Sequence, residues 1–315
     1  MTDIVHIGYH KTATNWFQRL FYPGAQGLRY VHRKHVRAAF IHHDAFHFDP
    51  ATARATLGKR DDEDIILCEE ELSGNLHNGG LFGCLSKEVA QRIHRTLPGA
   101  RIVIFIRNQP AMIASVYKQY VKEGGTHGVN RYLHHAHYLH ESGFQPAKAP
   151  LFRFEHFEYL PLIRHYQALF GRERVHVFPY EAFARDGEAF VTRFADALGL
   201  DVPPQPLHAD RVNIGYRRGT LALARLINHF TYRDVVDKRV WLNVPFTYRK
   251  GRILLKHLNR LPVLGRQQRP GDLLGRDNME FIQAYYAHVN AQLEAELGIR
   301  LAEFGYPLPT PSTRS

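Results

Sequence analysis

Residues 4–22 constrain this chain more than any other stretch, because they combine a short buried strand, a polar turn and a helix start. Residues 4–7 are an apolar run typical of a buried strand. Gly8 allows a turn, and aromatic and apolar residues then recur at helical spacing from Trp16 to Phe21. The first N–H groups of a helix have no partner within it, and the helix dipole favours an anion there. A lysine and two threonines in the turn add a cation and hydroxyl donors, so the segment predicts a phosphate or sulfate site.

The turn differs from the standard phosphate loop, which requires the spacing Gly-x-x-x-x-Gly-Lys-Ser/Thr. Gly8 precedes Lys11 by only three residues, and Ala13 stands where a second glycine is expected. Positions 9–16, Tyr-His-Lys-Thr-Ala-Thr-Asn-Trp, resemble the 5′-phosphosulfate loop of sulfotransferases that use PAPS (3′-phosphoadenosine 5′-phosphosulfate). The simpler alternative is a solvated lysine in an ordinary strand-to-helix turn. The resemblance assigns cofactor binding to Lys11, Thr12, Ala13, Thr14, Asn15 and Trp16.

A second apolar run, residues 64–68, predicts a buried strand that ends in three consecutive carboxylates, Glu69 to Glu71. In a nucleotide kinase or hydrolase such an acid holds Mg²⁺. In the sulfotransferases that this segment resembles, a glutamate at this strand end is the general base, and the match places that base at Glu70. Three solvated acids at a strand edge remain the structural alternative. The sequence does not decide among the three glutamates.

A third run, residues 101–106, is continuously apolar after its first residue and predicts a central parallel strand. Arg107 follows it, Pro110 suits the first turn of a helix, and Ser115 lies eight residues after Arg107. This arrangement resembles the 3′-phosphate motif of the same family, in which the arginine and the serine both bind the 3′-phosphate. The chemistry is reasonable, because a guanidinium forms paired hydrogen bonds with phosphate and a hydroxyl adds a neutral donor.

Two further short apolar runs, 28–31 and 175–178, predict additional strands between helical segments. The resemblance implies a three-layer α/β/α fold with a mostly parallel sheet and a helical C-terminal part. We expect a single domain over 1–315, with a core at about 1–230, a basic helical insertion at about 231–275 and a C-terminal helix over 276–315. The resemblance further suggests that a basic, glycine-containing segment returns to cover the cofactor, and the candidates are Arg217, Arg218 and Gly219.

The insertion at 231–275 holds ten Lys/Arg side chains against three Asp, interleaved with aromatic residues, in a chain of net charge +11. This excess favours an anionic cofactor, substrate or surface. An amphipathic basic helix, predicted over 249–264, suits an acidic glycan, or contact with an anionic membrane that carries a lipid acceptor. A solvated basic face packed on the core is the alternative interpretation. We expect no nucleic acid partner, and no feature predicts the oligomeric state.

Histidines cluster at 32–47 and at 134–140, but their spacing matches no familiar ligand set, so we predict no metal site. The chain has only two cysteines, which fits a reducing cytoplasm and no disulfide framework. No leader peptide is evident at the N-terminus. No apolar run reaches the ~20 residues of a membrane span.

Together these features predict an enzyme that moves a sulfuryl group from PAPS to a hydroxyl or amine, with PAP as the desulfated product. The expected acceptor is a hydroxyl-bearing small molecule, a glycan or a glycolipid, with Lys11 and Glu70 as the catalytic residues. An enzymatic alternative is a P-loop kinase that uses ATP and Mg²⁺. A non-enzymatic alternative is a polyanion-binding protein on a degenerate nucleotide fold.

Overall fold

Five parallel strands form the central sheet of the computed structural model, which describes residues 2–134, 152–204, 206, 215–232 and 239–310. The strands of this sheet are β1 Ile4–His6, β2 Leu28–Val31, β3 Asp64–Cys68, β4 Arg101–Ile106 and β5 Val175–Pro179. Their order across the sheet is β2-β3-β1-β4-β5, and every pairing is parallel. Each predicted strand is present, and the predicted α/β class with a mostly parallel sheet is confirmed.

Strand β1 lies at the centre because it pairs with β3 on one side and with β4 on the other. His6 is opposite Cys68 in β3 and opposite Val103 in β4. The hydrogen bonding continues past the strand end, since the Ile7 N–H donates to the Val103 carbonyl at 3.0 Å. The segments that leave these three strands therefore start at the same edge of the sheet, where open α/β sheets bind their ligands.

The helices connect the strands and account for most of the remaining described residues. The helices are α1 Thr14–Trp16, α2 Arg33–Phe40, α3 Pro50–Leu57, α4 Cys84–Thr96, α5 Gln109–Lys122, α6 Val129–Leu133, α7 Leu160–Phe170, α8 Tyr180–Arg185, α9 Gly187–Leu198, α10 Arg218–Asn228, α11 Thr247–Leu258, α12 Pro270–Leu274 and α13 Arg276–Leu297. The predicted basic helix over 249–264 is too long at its C-terminal end. Helix α11 ends at Leu258, before Pro262, whose ring and missing N–H do not continue an α-helix.

A buried histidine fixes the end of β1. The His6 side chain is fully buried, its Nδ1 lies 2.9 Å from the Tyr22 hydroxyl, and its ring stacks on Phe105. Burial lowers the pKa of His6 to about 3, so the imidazole is neutral at physiological pH. Gly8 is required here because a Cβ at that position would lie 2.6 Å from His6 Nε2. The chain therefore leaves the strand directly over the histidine ring.

The described residues group into two compact units. The first comprises Met1–Asn108, Phe154–Val212 and Tyr286–Ser315, and it contains the sheet; the second comprises Gln109–Arg153 and Asn213–Tyr285. The predicted division of the chain at residues 230 and 275 remains a prediction. Among the described helices, none combines the length and the apolar character needed to cross a bilayer.

Candidate active site

The turn after β1 has an unusual backbone conformation. Lys11 and Ala13 have φ values of 67° and 65°, in the left-handed region that non-glycine residues seldom adopt, whereas the φ of Thr12 between them is not positive. Backbone that alternates in this way directs successive N–H groups toward one point and forms a concave anion-binding nest. Ala13 is also the N-cap of α1, and it offers no side chain to cap the helix. The turn thus presents backbone donors where the sequence predicts an anion.

Two side-chain donors beside this turn are buried and have no hydrogen-bond partner in the described part of the chain. They are Thr14 Oγ1 and Arg107 Nε. Buried polar atoms are nearly always hydrogen-bonded, so each such atom needs an explanation, and an absent ligand is one. Arg107 is anchored to the turn, since its Nη1 donates to the Lys11 carbonyl at 2.9 Å. Its guanidinium also lies 4.8 Å from the centre of the Tyr180 ring.

The other residues of the turn have different surroundings. Thr12 is fully buried, and its hydroxyl donates to the Tyr9 carbonyl, so its side chain shapes the turn. Trp16 is buried as well; its ring stacks on Phe21 and its Nε1 donates to the Pro206 carbonyl at 3.3 Å. Asn15 is exposed. Any contact of Thr12 or Trp16 with an anion would therefore be made through the backbone, while Thr14 retains an available side-chain donor.

The three carboxylates after β3 lie in distinct environments. Glu69 is fully buried and holds two arginines of α2. Arg33 binds it through Nε at 2.8 Å and Nη2 at 3.0 Å, and Arg37 Nη2 lies 3.1 Å from Glu69 Oε1. Arg33 and Arg37 are four residues apart, so they share one face of the helix. This buried cluster fixes α2 to the end of β3.

Glu70 is the carboxylate that contacts the helical segment after the turn. Its Oε2 accepts a hydrogen bond from Gln18 Nε2 at 3.2 Å, and its Oε1 lies 3.1 Å from Arg33 Nη2. Gln18 belongs to the helical segment that continues α1, so Glu70 lies against the element that begins with the turn. Glu71 pairs with Arg37 at 2.8 Å and its side chain is 39% exposed. Burial raises the pKa of Glu71, and the charge of Arg37 opposes this shift.

His10, His77 and His156 lie close together, and the sequence did not predict this grouping. Burial lowers the pKa of His156 to about 3, and the neighbouring His10 and His77 lower it further. The His156 ring lies 5.2 Å from that of Tyr9. Because these histidines are far apart along the chain, no spacing pattern could have signalled their proximity. Among the described residues no group of His, Cys, Asp or Glu is arranged to hold a metal ion; His135, His137 and His140 lie outside those residues.

The remaining predicted cofactor residues belong to the second unit. Ser115 lies on α5, and Arg218 and Gly219 begin α10. The Arg217 guanidinium is already engaged there, because Nε donates to the Asn259 carbonyl at 2.9 Å and Nη1 to the Gly265 carbonyl at 2.8 Å. The assignment of these four residues to a cofactor stays a prediction.

The Glu69 cluster generates a prediction about stability. Glu69→Gln leaves two arginines facing a buried neutral side chain, and breaking a buried ion pair costs about 3 kcal/mol or more. Glu71→Gln, the matched control, removes one partly exposed pair, which is typically worth less than about 1 kcal/mol. Urea unfolding at pH 7 measures the free energy of unfolding of both variants and of the wild type. Equal, small losses in the two variants would show that Glu69 does not hold α2 to the sheet.

Two solved structures align with this chain over nearly its whole length. A sulfotransferase from Alicyclobacillus acidocaldarius aligns over 96% of this chain and 98% of its own, with a TM-score of 0.55 and 16% identity. The sulfotransferase domain from the curacin biosynthetic pathway aligns over 98% of this chain and 99% of its own, with a TM-score of 0.38 and 10% identity. No family model matches the sequence, and no curated protein matches it. The chain has the fold of the sulfotransferases.

Proposed function

We propose that this protein transfers a sulfuryl group from PAPS to a hydroxyl of an acceptor molecule. The observation that carries the proposal is a pair of buried donors, Thr14 Oγ1 and Arg107 Nε, that have no hydrogen-bond partner among the described residues and lie beside the positive-φ turn that holds Lys11. These donors suit the oxygens of a phosphate or sulfate. A carboxylate, Glu70, lies against the same element. The fold shared with sulfotransferases supports this assignment.

In this proposal the turn, Arg107 and Glu70 have separate roles. The backbone N–H groups of the turn, Thr14 and Lys11 bind the 5′-phosphosulfate, and Lys11 neutralises charge that develops on the leaving phosphate oxygen. Arg107 binds the 3′-phosphate. The acceptor oxygen forms a bond to sulfur as the bond between sulfur and the phosphate oxygen breaks, and the acceptor proton passes to Glu70. Catalysis rests on in-line positioning and charge stabilisation, as in phosphoryl transfer.

The surroundings of the three glutamates favour Glu70 as the base. The Glu69 carboxylate is fully buried against Arg33 and Arg37, so it has no access to an acceptor, whereas the Glu70 side chain is 16% exposed. Glu71 is held by Arg37. The Glu70 carboxylate is oriented by Gln18, a neutral donor on the turn's own helical segment, and by Arg33. Arg33 and Gln18 are therefore positioning residues for the base.

The assignment of Arg107 predicts selectivity for a 3′-phosphate. PAP should bind better than ADP, which lacks that group, and Arg107→Ala should remove most of the difference. A charge-assisted hydrogen bond is worth about 1.5–3 kcal/mol, which corresponds to a loss of roughly tenfold to a hundredfold in PAP affinity. Isothermal titration calorimetry measures the affinities for PAP and ADP in the wild type and in Arg107→Ala. Arg174→Ala, at the opposite end of the sheet and 46% exposed, is the control. Equal affinities of the wild type for PAP and ADP would contradict the assignment.

The assignment of Glu70 predicts a defect confined to the chemical step. Glu70→Gln keeps the size of the side chain but removes the proton acceptor, and loss of a general base typically lowers the rate by ~10²–10⁴-fold. Transfer of radiolabelled sulfate from PAPS to a hydroxyl acceptor, with octyl glucoside tried first, measures turnover. PAP affinity should change little, which separates this effect from misfolding. Full activity in Glu70→Gln together with an inactive Glu71→Gln would move the base to Glu71.

We further propose that the acceptor is a carbohydrate or glycolipid presented at an anionic lipid surface. Nine of the thirteen large apolar side chains that are exposed in the described residues lie within 232–263; Trp241, Phe246 and Val263 are 64%, 72% and 85% exposed. Lys250 and Lys256 are exposed on α11 in the same stretch. Exposed apolar side chains interleaved with cations are typical of segments that lie on anionic membranes.

Vesicle binding tests this acceptor assignment. The protein should co-sediment with vesicles that contain phosphatidylglycerol, and less with pure phosphatidylcholine, because part of the attraction is electrostatic. Trp241→Ser combined with Phe246→Ser should weaken binding several-fold, since each aromatic ring no longer enters the lipid interface. Phe46→Ser removes a 97% exposed aromatic ring in the first unit and is the control. No sedimentation with either vesicle would contradict the lipid assignment and leave the transfer reaction untouched.

A further inference from the structure

The peptide group that joins Arg107 to Asn108 is held at both of its polar atoms by side chains of the first unit. Its carbonyl accepts a hydrogen bond from the hydroxyl of the buried Tyr159 at 2.5 Å. Its N–H donates to Glu181 Oε1 at 3.0 Å, and the same oxygen accepts from Asn108 Nδ2 at 2.9 Å. A peptide fixed at both atoms limits the directions that the Arg107 side chain can take.

The first two residues of α8 support both the guanidinium and this peptide. The guanidinium lies 4.8 Å from the centre of the Tyr180 ring, and Glu181, the next residue, holds the peptide. Burial raises the pKa of Glu181, and the Asn108 N–H and the charge of Arg107 oppose this shift. On its other side, Arg107 Nη1 donates to the Lys11 carbonyl. These contacts leave Arg107 Nε without a hydrogen-bond partner in the described part of the chain.

The C-terminal tail, residues 301–310, completes this arrangement. The hydroxyl of Tyr306, a buried residue, donates to Glu181 Oε2 at 3.2 Å. Asn108 Nδ2 also donates to the Phe304 carbonyl at 3.2 Å. One oxygen of Glu181 therefore accepts from the residue after Arg107, and the other accepts from the tail. A carboxyl group engaged at both oxygens has a fixed orientation, so the tail determines how Glu181 holds the peptide.

We propose that Glu181 is a positioning residue for Arg107, and that Tyr306 of the C-terminal tail acts through Glu181 to set the affinity for the 3′-phosphate. This inference rests on the sulfuryl-transfer function proposed above. Neither Glu181 nor Tyr306 contacts the nucleotide; they fix the arginine whose guanidinium does. Paired hydrogen bonds between a guanidinium and a phosphate need a fixed geometry, which supporting side chains supply. A general structural role would affect every nucleotide, whereas a positioning role affects only nucleotides with a 3′-phosphate.

Calorimetric titration of variants with PAP and with ADP tests this role, because only PAP carries the group that Arg107 binds. Glu181→Leu removes the acceptors for Asn108 and Tyr306, and it should lower PAP affinity roughly tenfold while ADP affinity stays unchanged. Glu181→Gln keeps an oxygen that accepts from Asn108 and should recover most of the loss. Tyr306→Phe removes one hydrogen bond and should lower PAP affinity about two- to fivefold. In turnover, the KM for PAPS should rise by the same factors with kcat unchanged.

Two matched variants of the first unit are the controls, and both should keep the preference for PAP. Glu296→Leu removes a carboxylate that pairs with Arg164 at 2.6 Å, and Tyr166→Phe removes a buried hydroxyl with no hydrogen-bond partner among the described residues. The inference is overturned if Glu181→Leu and Tyr306→Phe keep the wild-type preference for PAP, or if they weaken PAP and ADP by the same factor. Tyr306→Phe decides alone if Glu181→Leu does not fold. Equal affinities of the wild type for PAP and ADP would instead overturn the sulfotransferase function, and this inference with it.

Discussion

The parallel hydrogen bonding of β1 between β3 and β4 is the constraint on which the candidate site depends. The residues that follow these strands are distant in sequence, yet the register that sets His6 opposite Cys68 and Val103 makes all three segments start at one edge. The Lys11 turn, the acidic run that contains Glu70, and Arg107 each follow one of these strands for this reason. The buried, neutral His6 under Gly8 fixes where the first of these segments leaves the sheet.

The charged side chains at this edge of the sheet differ in their partners. Glu69 takes up two arginines of α2 in the interior, which leaves the neighbouring Glu70 to be oriented by Gln18. On the other side of β1, Arg107 gives one nitrogen to the Lys11 carbonyl and keeps Nε unpartnered within the described residues. The strained φ values of the turn have a physical justification if an anion occupies it, because strain of this kind tends to be stored where a ligand binds.

The sequence was sufficient for the parallel sheet. The apolar runs at 64–68 and 101–106 match β3 and β4 residue for residue, and side chains that follow parallel strands are expected at one edge. Side-chain partners were not predictable. Nothing in the triplet Glu69 to Glu71 indicates which acid meets Arg33 and Arg37, because that depends on where α2 packs. The grouping of His10, His77 and His156 depends likewise on turns and a short 3-10 helix, which have no long periodic pattern.

Calorimetry of two ligands tests whether the turn and Arg107 hold an adenine nucleotide with a 3′-phosphate. PAP titrated without added metal and ATP titrated with Mg²⁺ separate a sulfotransferase from a kinase on the same sheet. We predict that PAP binds with no requirement for a metal, and at least about tenfold more tightly than ATP with Mg²⁺, a difference of about 1.4 kcal/mol. Tight, magnesium-dependent binding of ATP with no measurable binding of PAP would rule out a 3′-phosphate site at Arg107 and favour a kinase.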